Sequence, residues 1–491
     1  MNQHLPVLLV VVPLVAAPLA ALSRHPRAAW AVAVAASWWT MFAAVSLLNQ
    51  VLLSGPVSYA LGGWPAPWGI EYRIGLANAF VILIVATIAA VVTPFALLSV
   101  EREVERGRIV LFYSAYILCL TGLLGIAATG DVFNVYVFLE ISSLAAYALI
   151  AMGNDRRALT ASYQYLIIGS VGATFILIGI GLMYVLTGTL NIADLAERLQ
   201  ALPPTRTAQV AFTFLTVGFS LKLALFPLHL WLPNAYTFAP SAVSAFLAAT
   251  ATKVAVYMML LFLFTVFGTE FTFGVMRLDR ILMPLSLIGI LGASVVAVYR
   301  TNAKRLLAYS SVAQIGYTVV GISLASVAGV SAGIIHLFNH SLIKGALFMT
   351  MGAVMYRVGS VRIEAMAGLG RRMPWTMAAF VVGGLSLIGV PLTVGFVSKW
   401  LLVRAALEQG LWGVAIVVLV GSLLAAAYVW RVVEAAYFSP LPEGSSAREA
   451  PLGLLVPIWG LTIANLFFGI NATLTSELAT RAAEQLMRIS R

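Results

Sequence analysis

Long runs of apolar residues, interrupted by short polar stretches, fill the chain from end to end. A helix rises about 1.5 Å per residue, so roughly 20 apolar residues cross the hydrocarbon layer of a bilayer. Windows of that width predict about fourteen transmembrane helices, near 5–23, 28–53, 75–100, 109–128, 131–152, 161–188, 208–232, 238–268, 281–299, 304–325, 330–356, 374–402, 411–436 and 452–471. The longest polar connections, 54–74, 189–207 and 437–451, are too short for a soluble domain. The tail 472–491 reads as a short amphipathic helix at the surface. The first span has no basic flank and no small-residue cleavage site, so it reads as a retained helix. The expected fold class is an all-α polytopic membrane protein.

Composition agrees. The 491 residues are 61% hydrophobic and only 10% charged, with mean hydropathy +0.98, far from the usual mix of a soluble domain. The single Cys119 cannot form an internal disulfide, and no Cys or His spacing suggests a metal, haem or iron–sulfur site, so neither metal nor cofactor is expected. The formal charge of +11 raises the question of nucleic acid, but no basic patch with interleaved aromatics accompanies it. Membrane topology accounts for the cations instead. Sixteen of the 29 Lys and Arg residues fall in the loops of one face, and nine in those of the other face and the C-terminal tail. By the positive-inside rule the richer face is cytoplasmic and both termini lie outside.

The four basic residues left over are Lys222, Lys253, Lys344 and Lys399, all inside predicted spans. The fifth lysine, Lys304, sits at a loop boundary and reads, with Arg305, as a cytoplasmic anchor, while every arginine lies in a loop, a tail or a helix end. This sorting has chemical meaning, because arginine keeps its proton whereas a lysine in low dielectric can release it. One acid joins them. Glu140 lies roughly 14 Å along the span that starts at Asp131, at a depth where a carboxylate costs a few kcal/mol. Asp131 itself reads as a helix N-cap. His336, His340 and Lys344 stand at i, i+4 and i+8, one stripe of titratable groups. A lone membrane lysine commonly snorkels or fills a polar packing spot, and a lone histidine such as His229 is commonly a packed hydrogen-bonding residue. Four of five lysines beside a buried glutamate do not fit that explanation.

Two spans are predicted to be broken. The seventh reads "LKLALFPLHLWLPNAY", with Lys222 ahead of Pro227 and Pro233, and the twelfth reads "SLIGVPLTVGFVSKW", with Pro391 and Gly395 ahead of Lys399. Proline removes a backbone donor and opens the helix. Each alone could be a plain kink, but the two breaks lie five spans apart and each contains a lysine. Spans 4–8 and 9–13 therefore form two five-helix repeats, inverted because the number of spans per unit is odd. Glu140 on span 5 has no acidic counterpart on span 10.

These motifs carry a family resemblance. "GDVFNVYVFLEISSLAAYAL", "LKLALFPLHLWLPNAYTFAPSAVSAFLAATATKVAVY", "NAKRLLAYSSVAQIGY", "HLFNHSLIKGALF" and "GVPLTVGFVSKW" resemble helices 5, 7–8, 10, 11 and 12 of the proton-translocating antiporter-like subunits. Respiratory complex I, membrane-bound hydrogenases and Mrp-type multisubunit cation/proton antiporters share those subunits. Within them the segment "GGWPAPWGIEYRI" resembles the loop before the third helix of Mrp and hydrogenase-type members; no long C-terminal lateral helix or large extra domain is expected, and the overall resemblance is strongest to the D-type subunit of Mrp antiporters. Where many relatives carry an aspartate in "WLPNAY", this chain has Asn234.

The resemblance implies a relay of Glu140, its partner Lys222, the central Lys253 and the exit Lys399, connected by His336, His340 and Lys344. It implies an N-terminal three-helix segment (1–108), a proton-entrance repeat (109–268), an exit repeat (281–436), and a last helix with its tail (437–491). The function implied is proton translocation in a multisubunit Na⁺ (monovalent cation)/H⁺ antiporter of the bacterial inner membrane. The partners would be other small and large membrane subunits of that complex, without cofactor or nucleic acid. The alternative is the proton-pumping membrane arm of complex I or of a membrane-bound hydrogenase, and a third reading is a purely structural membrane subunit.

Overall fold

The computed structural model describes residues 2–440 and 448–488, so part of the polar connection 437–451 and the end of the tail lie outside the described residues. Three helices open the chain: α1 (Leu5–Leu22), α2 (Pro26–Ser54) and α3 (Leu76–Glu103). An antiparallel hairpin, β1 (Val57–Ala60) and β2 (Glu71–Ile74), links α2 to α3 with Val57 opposite Ile74. The first repeat holds α4 (Ile109–Ala128), α5 (Val132–Ala151), α6 (Arg157–Thr187), α7 (Ile192–Ala201), α8 (Arg206–Leu223), α9 (Trp231–Phe238) and α10 (Ser241–Leu260). The second holds α11 (Asp279–Val298), α12 (Ala303–Ser323), α13 (Val327–Val358), the single turn α14 (Leu369–Arg372), α15 (Pro374–Ile388), α16 (Val394–Glu408) and α17 (Trp412–Phe438). The chain ends with α18 (Leu452–Ile470) and α19 (Thr473–Arg488).

Helix occupies every predicted span. Among the described residues, eleven helices are long and apolar enough to cross a membrane. The other three predicted positions hold the two broken helices, α8/α9 and α15/α16, and α13, whose polar stripe lowers its hydropathy. One element was hidden in the connection 189–207: α7 is amphipathic and buries Leu195 and Leu199 while Arg198 and Glu197 face out. Beyond α10 the chain loosens into two π-helical segments, Leu261–Val266 and Glu270–Val275. Gln200 of α7 reaches across to hydrogen-bond the carbonyls of Thr265 and Val266, which a π-turn leaves exposed.

The inverted repeat is visible in two matching backbone pairs. At the start of α5, Val132 N–H donates to Leu190 O (2.9 Å) and Ile192 N–H to Gly130 O (2.8 Å). At the start of α12, Ala303 N–H donates to Val361 O (2.9 Å) and Ile363 N–H to Thr301 O (2.8 Å). The capping chemistry matches too, with the Asp131 carboxylate accepting from Asn134 N–H (2.7 Å) and the Asn302 side chain from Arg305 N–H (3.1 Å). The first pair borders a cavity lined by Thr129, Gly130 and Ile192, the second one lined by Gly153, Asn302 and Arg362. Helix α5 runs from the first cavity to the second, so the pairs lie on opposite faces. Six arginines, Arg102, Arg157, Arg300, Arg305, Arg357 and Arg362, surround the second cavity, which identifies it with the basic face.

The core sits where the repeats meet. Helices α10 and α12 bury nearly every residue, and α13 is buried over most of its length between α10, α12, α16 and α18. Such helices carry no apolar stripe because they have no outward face. Lys304 departs from the expected water-facing anchor: it is 1% exposed and its Nζ lies 3.7 Å from Glu103 Oε2 at the end of α3.

The α15/α16 break depends on close backbone approach. A Cβ on Gly395 would overlap the Ser386 carbonyl, and Gly395 N–H donates to Ser386 Oγ at 3.2 Å. Gly395→Ala is expected to destabilise the fold by about 1–3 kcal/mol, as overpacking does. Gly181→Ala, on the exposed side of α6 with open space around it, should match the wild type or exceed it by about 0.5–1 kcal/mol. Thermal unfolding of the detergent-solubilised chain separates the two.

Candidate functional site

The candidate groups form a line through the middle of both repeats. It begins on α5, where Glu140 is half-buried and its Oε1 is enclosed without a hydrogen-bond partner. One turn on, Ser143 Oγ accepts a 2.9 Å hydrogen bond from Lys222 Nζ. No salt bridge of 4.0 Å or less joins Glu140 to Lys222 among the described residues. The two charges act on each other through space, with Ser143 holding the amine on the glutamate's side of α5. Helix α8 ends there because Ala224 takes a left-handed conformation, φ 59°, and Trp231 Nε1 donates to the freed Leu221 carbonyl at 3.0 Å.

A cavity of about 30 Å³ touches Lys222, Ser143 and Tyr165 on one side and Ala251, Val254 and Ala255 of α10 on the other. That is room for roughly two waters, with polar partners on its wall. Lys253, also on α10, is 1% exposed and donates to Ala248 O and, at 3.4 Å, to Thr252 Oγ1. Next comes α13. Lys344 is fully buried and donates to Leu307 O (2.8 Å) and Ser310 Oγ of α12. The rings of His340 and His336 lie 6.0 Å apart and nearly parallel, at 15°. Both Nε2 atoms are buried without partners.

His336 Nδ1 lies 2.9 Å from Ser398 Oγ, beside Lys399 on α16. Lys399 closes the line, donating to Leu387 O (2.9 Å), Ile388 O (3.0 Å) and Ser422 Oγ (2.9 Å) and lying 4.8 Å from the centre of the Tyr317 ring. Leu387 and Ile388 end α15, so the ammonium satisfies carbonyls that the helix break orphans and meets the negative end of the helix dipole.

The seven expected residues therefore fall in one order: Glu140, Lys222, Lys253, then Lys344 with His340 and His336, then Lys399. Sequence reasoning missed their hydroxyl partners Ser143, Ser310, Ser398 and Ser422 and the ring of Tyr317. Two of these had a readable signal, since Ser143 is three residues from Glu140 on one helix face and Ser398 adjoins Lys399. Ser310 and Ser422 become partners only through tertiary packing. His229 stands apart, stacked on Phe226 at 5.3 Å. Among the described residues no group of His, Cys, Asp and Glu could hold a metal ion.

The hydroxyl partners matter chemically. A serine oxygen can accept from an ammonium or donate to a neutral amine, so Lys222, Lys344 and Lys399 keep a partner in either protonation state. A carboxylate partner would favour only the charged form. At these three lysines the amine can hold, release and regain a proton without being stranded, a stranding that costs about 1–3 kcal/mol.

The chain is similar to known proteins along nearly all of its length. A family described as "NADH:quinone oxidoreductase/Mrp antiporter, TM" matches residues 129–425. The chain is 41% identical to the N-type subunit of an NADH-quinone oxidoreductase of Desulforudis audaxviator, covering 96% of each. It is 30% identical to the D-type subunit of a Na(+)/H(+) antiporter of Bacillus subtilis, covering 90% of this chain and 88% of the relative. Among solved structures, a chain of the archaeal membrane-bound sulfane sulfur reductase superposes with a TM-score of 0.91 at 31% identity, covering 99% of this chain and 98% of the other. A chain of the Mrp complex from Dietzia sp. superposes with a TM-score of 0.91 at 26% identity, covering 99% and 97%. With a family match over more than half its length and relatives this similar along nearly all of it, the chain belongs to the NADH:quinone oxidoreductase/Mrp antiporter membrane family.

Proposed function

We propose that the chain is the proton-translocating membrane subunit of a multisubunit complex, and that the complex exchanges a monovalent cation such as Na⁺ for protons. The observation that carries this is the buried line of four lysines and two histidines, held by hydroxyls and carbonyls and crossing both inverted repeats. Glu140 and Lys222 form its loading end. A proton reaching Glu140 removes the negative charge facing Lys222, and the Lys222 ammonium then sheds its proton toward the cavity and Lys253. The proton moves on through Lys344, His340 and His336 and leaves at Lys399. Moving one charge through 100 mV takes about 2.3 kcal/mol, the equivalent of about two pKa units. Rearranging one or two hydrogen bonds supplies that much.

The Mrp-type assignment rests on the likeness to the Bacillus antiporter protein and on the Dietzia superposition. A redox-linked complex is the second reading, favoured by the 41% identity to an NADH-quinone oxidoreductase protein and by the sulfane sulfur reductase superposition. The proton path is the same in both; only the driving reaction in the partner subunits differs.

In inverted vesicles carrying the whole complex, Glu140→Gln and Lys222→Ala are expected to abolish proton movement while assembly, read by blue-native gel, stays intact. Full transport in both would remove the relay. Lys399→Arg keeps a cation over Tyr317 and against the Leu387 and Ile388 carbonyls but holds its proton. It should assemble normally and lose at least about tenfold in rate. Proton movement started by adding Na⁺ or Li⁺ supports the antiporter. Movement that starts only with a reductant and quinone or another electron acceptor supports the redox-linked reading.

A further inference from the structure

The basic face opens into a vestibule of about 990 Å³ where the two repeats meet. Its wall includes a buried ion pair that the relay above does not use. Lys304 Nζ lies 3.7 Å from Glu103 Oε2, with the side chains 1% and 13% exposed. Glu103 is held in place by Ser99 Oγ (2.8 Å) and by Ser241, through both N–H (3.0 Å) and Oγ (2.9 Å). Lys304 also donates to Ala239 O at 3.2 Å. The pair thus joins α3, the start of α10 and the start of α12, with vestibule on one side and protein interior on the other.

The interior side leads to the relay. Lys344 takes its partners from α12: the carbonyl of Leu307 and the hydroxyl of Ser310. These residues lie three and six positions beyond Lys304, about 4.5 and 9 Å along the helix axis. Lys304 therefore stands one to two turns of α12 from the partners of Lys344. Residue type points the same way. Of the sixteen basic residues assigned to this face fifteen are arginine, and the buried one is the lysine. An ion pair needed only as a tie would be served better by arginine, whose fork binds a carboxylate in two places. Lysine is the cation that can give its proton up in low dielectric.

We propose that Glu103 and Lys304 form a second proton-exchange port, connecting vestibule water to Lys344 in the same cycle as Glu140 and Lys222, so that neither port turns over without the other; this rests on the relay reading above. Vestibule water delivers a proton to the Glu103 carboxylate. The Lys304 ammonium, relieved of its counter-charge, passes its own proton to the neutral Lys344 amine through the Ser310 hydroxyl or intervening water. The Glu103 carboxyl then returns its proton to Lys304 and the ion pair re-forms, so one proton has moved from the vestibule to Lys344. Six arginines, among them Arg157 in a 2.6 Å pair with Asp155, complete the charged lining.

The test uses the whole complex in inverted vesicles. Lys304→Arg keeps the charge and the tie to Glu103 but cannot release a proton. Wild-type assembly and melting temperature with at least a tenfold fall in proton movement is the result expected; wild-type transport overturns the proposal. Lys304→Cys gives a second arm, because the one native cysteine, Cys119, is buried. Aminoethyl methanethiosulfonate, which restores a titratable amine, should recover transport, and the trimethylammonium reagent, which restores only fixed charge, should not. Equal recovery by both reagents, or failure of both variants to assemble, assigns the pair a structural role and overturns the proposal. Glu140→Gln and Lys222→Ala run beside them. If these two remain active the relay reading itself has failed, whereas if they are dead and Lys304→Arg is fully active only the second port is wrong.

Discussion

A backbone carbonyl freed inside a membrane has no water to turn to, and much of this structure is arranged around that constraint. Two spans are broken, and each break leaves carbonyls that need donors. At α15 the donor is the Lys399 ammonium, which reaches Leu387 and Ile388. At α8 it is the Trp231 indole, which reaches Leu221. The first solution installs a titratable cation at the break itself. The second leaves the nearby cation, Lys222, free to pair with Ser143 and to feel Glu140. The same backbone problem, solved with different residues, makes the two halves chemically unequal on a shared scaffold.

That inequality gives a direction to what would otherwise be a symmetric object. The backbone pairs at the starts of α5 and α12 match bond for bond on opposite faces. Only the first repeat carries a mid-membrane acid, and only the second ends in a lysine held by helix-terminal carbonyls. A single acid at one end of a line of bases biases where a proton pairs most readily. The scaffold places a cavity beside each of the two backbone pairs, and on the proposed relay the side chains decide which is used at each stage.

The spans, the two breaks and the buried titratable residues were legible in the chain because each rests on local information: apolar length, proline position, or helical spacing within ten residues. The His336–His340–Lys344 stripe needed only a period of 3.6. What escaped was set by tertiary contact. Lys304 lies beside a run of loop residues and reads as an interfacial anchor; it is buried because Glu103, two hundred residues earlier, ends α3 beside it. A direct Glu140–Lys222 pairing follows from charge alone, but Ser143 takes the hydrogen bond. Helix α7 was concealed in a polar connection because half of its surface faces water and its apolar half covers the π-helical end of the first repeat.

The choice of hydroxyls over carboxylates along most of the line also follows from energetics. A buried ion pair stabilises one protonation state of each member, and breaking it leaves an uncompensated charge that costs about 3–5 kcal/mol. A relay made only of such pairs would hold its protons too firmly for a driving force of about 2.3 kcal/mol per charge at 100 mV. Serine and carbonyl partners give smaller, nearly reversible differences, in the range of about 0.5–1.5 kcal/mol per hydrogen bond. Among the described residues, carboxylates stand beside the line only at Glu140 and Glu103, where, on the proposed relay, a strong preference sets when a proton is admitted. Such a relay needs amines and imidazoles that are nearly matched, and the partners along this line are serine hydroxyls, main-chain carbonyls and a cavity large enough for about two waters.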